Sequence, residues 1–218
     1  MNFEEWEPIY LKILKDFGFS RVDDEIAGAT LFNLLAGKNL VKLSELEKLL
    51  HNRTVCVVGN APGQIEPLPD ADAYITADGA TKKVLDSKKV PAIITTDLDG
   101  DVNAQIKANS RGSIVIIHAH GDNLPALKRY VPKFRGKVIG STQSTPYTRL
   151  INFGGFTDGD RAVCLASHFQ AKEILLKNFD FEDVSAEKPE IKELKLKKLK
   201  WAKKIIEECG RKSVIKFV

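Results

Sequence analysis

The sequence predicts an α/β protein built on a mostly parallel sheet with helices on both faces, preceded by a small helical N-terminal section. From Thr54 onward, short runs of β-branched and apolar residues alternate with stretches of helical length. This alternation is typical of parallel strands joined by crossover helices. Residues 1–52 instead carry apolar side chains at helical spacing. We therefore expect a helical section over residues 1–52 and an α/β domain over residues 53–218.

Three helices are predicted in the N-terminal section. The first covers residues 2–16 and stops at Gly18, because its apolar side chains recur on one helical face. The second covers residues 23–36. The third begins at Ser44 as N-cap, with Glu47 three residues later completing a capping box. We expect these helices to pack against the sheet or to cover a site.

Short apolar runs bounded by turn residues predict the strands, and the polar or mixed stretches between them predict the helices. The predicted strands cover residues 54–58, 73–76, 93–96, 113–117, 137–139 and 173–176, with an edge strand over 214–218. The predicted helices cover residues 80–87 and 102–110, a stretch ending near residue 130, a stretch ending near residue 170, and residues 190–208.

The strand over residues 93–96 ends in three carboxylates at alternate positions, Asp97, Asp99 and Asp101, with Gly100 before the last. Ligands of open α/β sheets bind at the carboxyl ends of the strands. Carboxylates this close repel one another, and a divalent cation such as Mg²⁺ relieves the repulsion. The alternative is a solvated turn, since Asp and Gly are ordinary turn formers.

Further polar side chains stand where predicted strands end or the next helix begins. Because such positions lie along one rim of a parallel sheet, we expect them to converge on a site. His120 is favoured over His118 for a role there, since it adjoins the Gly121–Asp122 turn. Arg161 would either pair with an aspartate or bind phosphate. The other candidates are Asn60, Asp78, Asp122, Asn123, Thr142, Gln143, Asp158 and Asp160.

Several familiar phosphate- and metal-binding motifs are missing. The chain has neither a GxxxxGK[ST] loop nor a GxGxxG after a strand, so a P-loop or dinucleotide-binding Rossmann domain is not indicated. Counted from Asp97, an EF-hand loop would need glycine where Val102 stands and glutamate where Ala108 stands. The turn over residues 59–63 would either present backbone amides to an anion or serve only as a tight turn.

The composition is ordinary for a globular protein, with 43% hydrophobic and 28% charged residues. No apolar stretch approaches the roughly 20 residues that a membrane span needs. The acidic N-terminus lacks the layout of a signal peptide, so we expect a cytoplasmic protein without membrane partners. Three widely spaced cysteines support neither a disulfide framework nor a structural zinc site.

Positive charge is concentrated in one segment. Residues 188–204 contain eight lysines against two glutamates, while the whole chain carries a net charge of +4. The remainder is slightly acidic, which argues against a nucleic-acid partner. The lysine-rich face of the last predicted helix is either solvated or attracts nucleotide phosphates.

Three motifs in a fixed order carry a family resemblance: TTDLDGD at 95–101, HAHGDN at 118–123 and NFGGFTDGDRA at 152–162, preceded by ADGA at 77–80. Together they resemble the archaeal-type 6-hydroxymethyl-7,8-dihydropterin pyrophosphokinases. That family is similar to the catalytic domain of thiamin pyrophosphokinase, so the resemblance implies the same type of sheet for residues 53–218. The resemblance covers about residues 54 to 180.

The resemblance implies Mg²⁺-dependent transfer of diphosphate from ATP to the hydroxymethyl group of the pterin, with release of AMP. Such a reaction belongs to the biosynthesis of a folate- or methanopterin-type cofactor. We expect Asp97, Asp99 and Asp122 to bind Mg²⁺, and Asp101 to bind a second ion or orient the first. Asp122 or His120 would accept the hydroxyl proton.

The resemblance also implies substrate contacts by the third motif, at Asp158, Asp160 and Arg161. A carboxylate is the natural partner of the donor-rich aminopyrimidine edge of a pterin, and Asp78 or Asp158 would supply it. The further residues expected to contact ATP or pterin are Asn60, Asn123, Thr142 and Gln143.

Three other interpretations compete. In a thiamin pyrophosphokinase, serine typically stands where this chain has Gly100, and a Thr-Asp pair stands in the motif that here reads HAHGDN. A sugar transferase would use Asp97 and Asp99 as a DxD motif holding Mn²⁺, but it leaves the other two motifs unexplained. A non-catalytic nucleotide-binding module is the third. A homodimer through the N-terminal section is also expected.

Overall fold

The computed structural model describes residues 1–182 and 189–218. Its described residues form nine strands and eight α-helices. The strands are β1 (Asn39–Leu40), β2 (Thr54–Val58), β3 (Ala73–Ala77), β4 (Ile93–Thr96), β5 (Ile114–Ala119), β6 (Lys137–Thr142), β7 (Leu150–Ile151), β8 (Glu173–Lys177) and β9 (Ile215–Phe217). The helices are α1 (Phe3–Phe17), α2 (Arg21–Leu34), α3 (Leu43–Leu50), α4 (Ala80–Asp86), α5 (Val102–Ser110), α6 (Leu124–Tyr130), α7 (Asp158–His168) and α8 (Pro189–Gly210). Two 3-10 turns cover Gly121–Asn123 and Val131–Lys133.

All nine strands belong to one sheet, in the order β1-β6-β5-β4-β3-β2-β8-β9, with β7 paired to β6. Every strand pairing is parallel. From β2 the chain proceeds outward through β3, β4, β5 and β6, and then returns to place β8 on the other side of β2. The connections therefore change direction between β2 and β8, which is where open α/β sheets form a ligand-binding crevice.

The sheet is covered on both faces, as predicted. Ile93 and Ile116 contribute to a core with α1, α3, α7 and α8, whereas Ile94 and Ile117 contribute to a second core with α2, α5 and α6. Alternate strand residues point to opposite faces, so near-continuous apolar runs are what a doubly covered sheet requires. The division at residue 52 stays a prediction, but β1 lies within the sheet and the first two helices pack on opposite faces of it.

Several predicted boundaries were wrong. Helix α3 has Lys42 as N-cap, and the carboxylate of Glu45, not Glu47, accepts from the Lys42 N–H at 3.5 Å. Ser44 therefore lies inside the first turn. Strand β5 extends past residue 117 to Ala119, because burial on both faces continues through its last residues. The predicted strand over 137–139 likewise continues to Thr142, and the two-residue strands β1 and β7 are too short to give a sequence pattern.

Helix α8 is packed only along its second half. Ala202, Ile205 and Cys209 are buried, but Ile191 and Leu194 are 45% and 46% exposed, because the first turns of α8 extend beyond the core. Lys188, part of the lysine-rich segment, lies outside the described residues. Within the described chain, no helix is both long enough and apolar enough to cross a bilayer.

Substitution of Trp6 measures how much the packing of α1 contributes to the free energy of unfolding. Its side chain is fully buried, and its indole N–H donates to the Gln143 carbonyl at 2.9 Å. We expect Trp6→Ala to lower the free energy of unfolding by about 3–5 kcal/mol, because it leaves a cavity and an unpaired carbonyl. Urea unfolding followed by circular dichroism measures this; a change within error would mean that α1 is not integral to the core.

Candidate active site

Three aspartates meet at the carboxyl edge of the sheet. Asp78 follows β3, Asp97 follows β4, and Asp158 is the first residue of α7. One carboxylate oxygen from each lies within 4.8 Å of the others. Because β3 and β4 are parallel neighbours, their ends bring the first two together, and the N-terminus of α7 adds the third. We refer to Asp78, Asp97 and Asp158 as the carboxylate cluster.

Asp78 is buried and held by several donors. Its Oδ1 accepts from Thr96 Oγ1 at 2.6 Å and from Gln105 Nε2 at 2.7 Å. Its φ of 41° is left-handed, an unusual conformation for a non-glycine residue that is common at functional sites. Burial, only partly offset by the Thr96 hydrogen bond and reinforced by repulsion from Asp97, raises the pKa of Asp78.

Gly100 allows Asp78 to take this position. A methyl group placed on Gly100 would lie 1.8 Å from Asp78 Oδ2 and 3.1 Å from the Gly79 backbone nitrogen. No side chain fits there while Asp78 occupies its observed place. The glycine at this point of the TTDLDGD motif is therefore required by the packing of the carboxylate cluster.

Asp97 is the member of the cluster that is most easily ionised. His120 Nε2 lies 3.5 Å from Asp97 Oδ2, and His120 Nδ1 accepts from the Asp122 N–H at 3.4 Å, which favours the tautomer with hydrogen on Nε2. Although burial opposes ionisation, the interactions with His120 outweigh it and lower the pKa of Asp97. Asn123 secures this strand end by donating to the carbonyls of Asp97 and His118 at 2.9 and 2.7 Å.

The other predicted metal ligands occupy different positions. Asp99 is exposed at the rim, where loss of hydration and then repulsion from Asp97 and Asp78 raise its pKa to about 7. Asp101 is the N-cap of α5 and accepts from the Ala104 N–H at 3.0 Å. Asp122 is exposed on the 3-10 turn and lines the same cleft as Asp97.

The third motif supplies one carboxylate to the cluster and uses the other for capping. Burial, with repulsion from Asp97 and Asp78, raises the pKa of Asp158 well above its ordinary value. Asp160 is fully buried and closes a capping box at the start of α7, where its oxygens accept from the N–H groups of Phe156 at 2.6 Å and Thr157 at 2.8 Å.

Arg161 is the buried counter-charge of the cluster. Its Nε lies 3.8 Å from Asp158 Oδ1, and its terminal nitrogens donate to the carbonyls of Gly155 and Phe156. Burial lowers the pKa of Arg161, but an arginine remains charged at neutral pH. The double glycine before α7 permits this arrangement, since a methyl group on Gly155 would lie 2.4 Å from the Arg161 Cα.

The cluster fits a divalent cation. Within the described structure, Asp158 Oδ1 is buried without a hydrogen bond and has only the long ion pair with Arg161 Nε at 3.8 Å, so it could serve as a ligand atom. Burial first, and then repulsion between neighbouring carboxylates, raises the pKa values of Asp78, Asp99 and Asp158, and a bound cation would oppose both effects. Oxygen-only ligands at this spacing suit Mg²⁺ or another hard cation.

Two clefts meet at the carboxylate cluster. The larger, of about 610 Å³, lies at the β2–β8 crevice, and the smaller, of about 230 Å³, lies between the α1–α2 connection and the ends of β4 and β5. Asp158 and Lys198 line both clefts. A group bound in one cleft is therefore presented to a group bound in the other at the cluster.

The larger cleft is bounded by the loops after β2 and β8. Asn178 donates to the carbonyls of Gly59 and Ala61, and Lys83 donates to the carbonyl of Ala61 at 2.6 Å. The amides of Gly59 and Ala61 are also bonded within the protein. The backbone of this loop is therefore largely occupied, and Asn60 is its exposed polar side chain in the cleft.

The α1–α2 connection and the first turn of α2 form one side of the smaller cleft. Asp23 and Asp24, in the first turn of α2, line it together with Gln143. Both aspartates were missed by sequence reasoning, because acids after the N-cap Ser20 are ordinary at a helix start. Thr142, which was a predicted contact, is buried and accepts from the Ser144 N–H at 3.2 Å.

The family of the chain follows from sequence comparison. Residues 32–185 match a sequence model of the MptE-like 6-hydroxymethylpterin diphosphokinases. The chain belongs to this family. It is 38% identical over 241 residues to the 6-hydroxymethyl-7,8-dihydropterin pyrophosphokinase of Methanocaldococcus jannaschii, with both chains fully covered.

Two further members of the MptE-like family are similar to it. The 6-hydroxymethyl-7,8-dihydropterin pyrophosphokinase of Pyrococcus furiosus is 38% identical over 233 residues, covering 100% of this chain and 99% of that one. The protein of the same name from Methanothermobacter thermautotrophicus is 40% identical over 190 residues, covering 84% and 81%. The resemblance inferred from the three motifs is thereby confirmed, and it extends through the N-terminal helices.

Substituting Gly100 tests the packing of the cluster. We expect Gly100→Ala to lower the free energy of unfolding by about 1–3 kcal/mol, because the methyl group must displace Asp78. Gly210→Ala is the matched control, since a methyl group there meets only Ile215 Cδ1 at 3.9 Å. Equal stability of the two variants in urea titrations would contradict this packing.

The raised pKa of Asp99 can be tested by the pH dependence of protein stability in the absence of metal. Its folded pKa of about 7 exceeds the unfolded value near 3.8, so the folded state binds more protons between these values and loses stability as pH rises through 7. The pKa of buried His118 is lowered, so His118 makes stability rise with pH at lower pH. Wild type and Asp99→Asn must therefore be compared with each other at each pH. In EDTA, Asp99→Asn should gain stability relative to wild type as pH rises from about 4 to 7, and the difference should level off above pH 7. A difference in melting temperature between the two proteins that does not change with pH would contradict the raised pKa of Asp99.

Proposed function

We propose that this protein transfers the diphosphoryl group of ATP to the hydroxymethyl group of 6-hydroxymethyl-7,8-dihydropterin, releases AMP, and requires Mg²⁺. The observation that carries this proposal is a carboxylate cluster placed between two clefts in a member of the MptE-like family. Such an arrangement suits a reaction in which one substrate donates a charged group to another. We assign the reaction to the biosynthesis of a folate- or methanopterin-type cofactor.

Asp78, Asp97 and Asp158 would hold the cation, with Asp99 beside them. The ion would neutralise the phosphates and align the attacking hydroxyl with the β-phosphorus. Arg161 cannot replace it, because its terminal nitrogens already bond the carbonyls of the preceding loop. Its role is to limit the repulsion within the cluster when substrates are absent.

The larger cleft would bind ATP. Its volume lies within the roughly 300–1,000 Å³ that ligand pockets of that size occupy. Phe179 supplies an aromatic surface for the base, and Lys83 and Lys198 supply positive charge. The first turn of α7 also faces the cleft at Gly159, so the positive end of that helix favours the phosphates.

Asp122 is the favoured acceptor of the hydroxyl proton. Both ring nitrogens of His120 face partners, Asp97 on one side and the Asp122 N–H on the other. The Asp122 carboxylate is exposed on the smaller cleft and accepts no hydrogen bond from the described residues. A loose transition state makes a strong base unnecessary. His120 would then set the ionisation and position of Asp97.

The remaining predicted residues divide into contacts and supports. Asn60 and Gln143 line the clefts and would contact ATP and pterin respectively. Asn123, Thr142 and Asp160 bond neighbouring loops and would hold those contacts in place.

Nucleotide products test the proposed reaction. The purified protein is incubated with ATP, Mg²⁺ and 6-hydroxymethyl-7,8-dihydropterin, beside thiamin and a no-acceptor control. AMP and pterin diphosphate should form in equal amounts and only with the pterin. Formation of AMP only in the presence of thiamin would contradict the assignment of the pterin as acceptor. ADP as the nucleotide product would contradict diphosphoryl transfer.

Two isosteric substitutions test the metal ligands. Asp97→Asn should lower turnover by about 10³-fold or more at saturating substrates, because it removes a ligand charge. Asp101→Asn should cause a far smaller loss, since asparagine caps a helix as well as aspartate does. Both variants should melt close to wild type in EDTA. Equal losses of turnover in the two variants would indicate that Asp101 is a metal ligand.

A further inference from the structure

We propose that the smaller cleft is the pterin pocket and that Asp23, at the start of α2, binds the aminopyrimidine edge of the substrate. This inference rests on the proposed function. It assigns acceptor recognition to the N-terminal helices rather than to the strand ends that carry the carboxylate cluster.

The size and position of the smaller cleft suit the acceptor. Its volume of about 230 Å³ is below the roughly 300–1,000 Å³ of pockets for drug-sized ligands, so it fits a single small ring system better than a nucleotide. Asp97 and Asp158, two members of the carboxylate cluster, are among its lining residues. A bicyclic ring in this cleft would therefore place a short arm at the cluster, opposite a nucleotide in the larger cleft.

One wall of the smaller cleft is aromatic. Phe19 and Phe156 both line it, with ring centroids 6.5 Å apart, and Phe17 stacks on Phe19 at 5.2 Å. A flat heteroaromatic ring packs favourably on such a surface. The opposite wall is polar and carries Gln143, His120 and Asp122.

A buried donor in the same cleft lacks a partner. The side chain of Arg161 is 8% exposed, and its Nε has no hydrogen-bond partner in the described structure. Arg161 lines the smaller cleft. The Nε of Arg161 lies 3.8 Å from Asp158 Oδ1, so Arg161 mainly contributes positive charge at this side of the cleft, which suits a ligand with acceptor atoms such as the ring nitrogens and carbonyl of a pterin.

The two adjacent aspartates of α2 differ in the hydrogen bonds that their carboxylates accept. The Asp24 carboxylate is saturated: it accepts from Tyr10 Oη at 2.7 Å, the Gly121 N–H at 2.8 Å and Gln143 Nε2 at 3.0 Å. It thereby fixes α1, α2 and the 3-10 turn around the cleft. The Asp23 carboxylate accepts no hydrogen bond from any described residue. Asp23 is thus free to bind a ligand.

The chemistry of a pterin selects Asp23 over the other free carboxylate. The edge with the 2-amino group and the ring N–H presents two parallel donors, which one carboxylate accepts together. That edge lies at the end of the ring opposite the hydroxymethyl arm. Asp122 is already the proposed acceptor of the hydroxyl proton at the arm, which leaves Asp23 of α2 as the cleft carboxylate for the donor edge. With the arm at the cluster, the donor edge faces α2.

Asp78 and Asp158, the earlier candidates for this contact, are less suited to it. Asp78 already accepts from Thr96 and Gln105, and both aspartates belong to the carboxylate cluster. A carboxylate that binds the cation cannot also accept the two donors of the aminopyrimidine edge.

Asp23→Asn tests the assignment, because asparagine replaces one acceptor oxygen with a donor. The KM for 6-hydroxymethyl-7,8-dihydropterin should rise by about 10- to 100-fold, while the KM for ATP stays within about twofold. Glu4→Gln is the matched control: it removes a first-turn acid from α1, away from both clefts, and should leave both KM values unchanged.

An acceptor analogue with oxygen in place of the 2-amino group gives a second readout. Wild type should discriminate against it by about 100-fold in kcat/KM, and Asp23→Asn should reduce that discrimination at least tenfold. An unchanged KM for the pterin and unchanged discrimination in a folded Asp23→Asn protein would overturn the pocket assignment alone. If wild type forms no pterin diphosphate, the proposed function itself fails.

Discussion

Mutual repulsion among three carboxylates is the constraint around which the site is arranged. Asp78, Asp97 and Asp158 place oxygens within 4.8 Å of one another at the edge of a sheet whose interior is apolar. Buried Arg161 and the donors on Asp78 reduce the repulsion, but burial together with the remaining repulsion still raises the pKa values of Asp78 and Asp158. Under the proposed function, a cation at the cluster would relieve this repulsion, because ionisation of the carboxylates and metal binding reinforce each other.

The N-terminal helices supply a side of the smaller cleft that the sheet does not form. Helices α1 and α2 pack on opposite faces of the sheet, and the connection between them forms one side of the smaller cleft. The carboxylate of Asp24 links this connection to the Gly121 turn and to Gln143. Gly121 is suited to that contact, since a methyl group there would lie 2.8 Å from the Asp23 Cβ. If the smaller cleft binds the acceptor, as proposed, recognition of the acceptor depends on docking of helices that contain none of the three family motifs.

The sequence predicted the fold and the edge of the sheet that carries the site, because apolar periodicity and strand-end acids are local signals. It correctly placed Asp97 at a strand end and the start of a helix, α7, in the third motif. It did not predict that Asp101 would cap α5 or that Asp160 would close a capping box, since a carboxylate at a helix start has the same sequence pattern whether it caps or binds a ligand. Asp24 gave no signal, because its partners Gly121 and Gln143 lie about a hundred residues away in the chain. Side chains brought together only by tertiary packing are not visible in a single sequence.

Anomalous diffraction from crystals grown with Mn²⁺ tests the central claim most directly, because it locates the cation without reference to activity. The account predicts a peak bounded by carboxylate oxygens of Asp78, Asp97 and Asp158, with Asp99 at its edge. It also predicts that Asp158→Asn removes or weakens the peak. A Mn²⁺ peak held by Asp101 and Asp122, with the three clustered carboxylates left without metal, would contradict it.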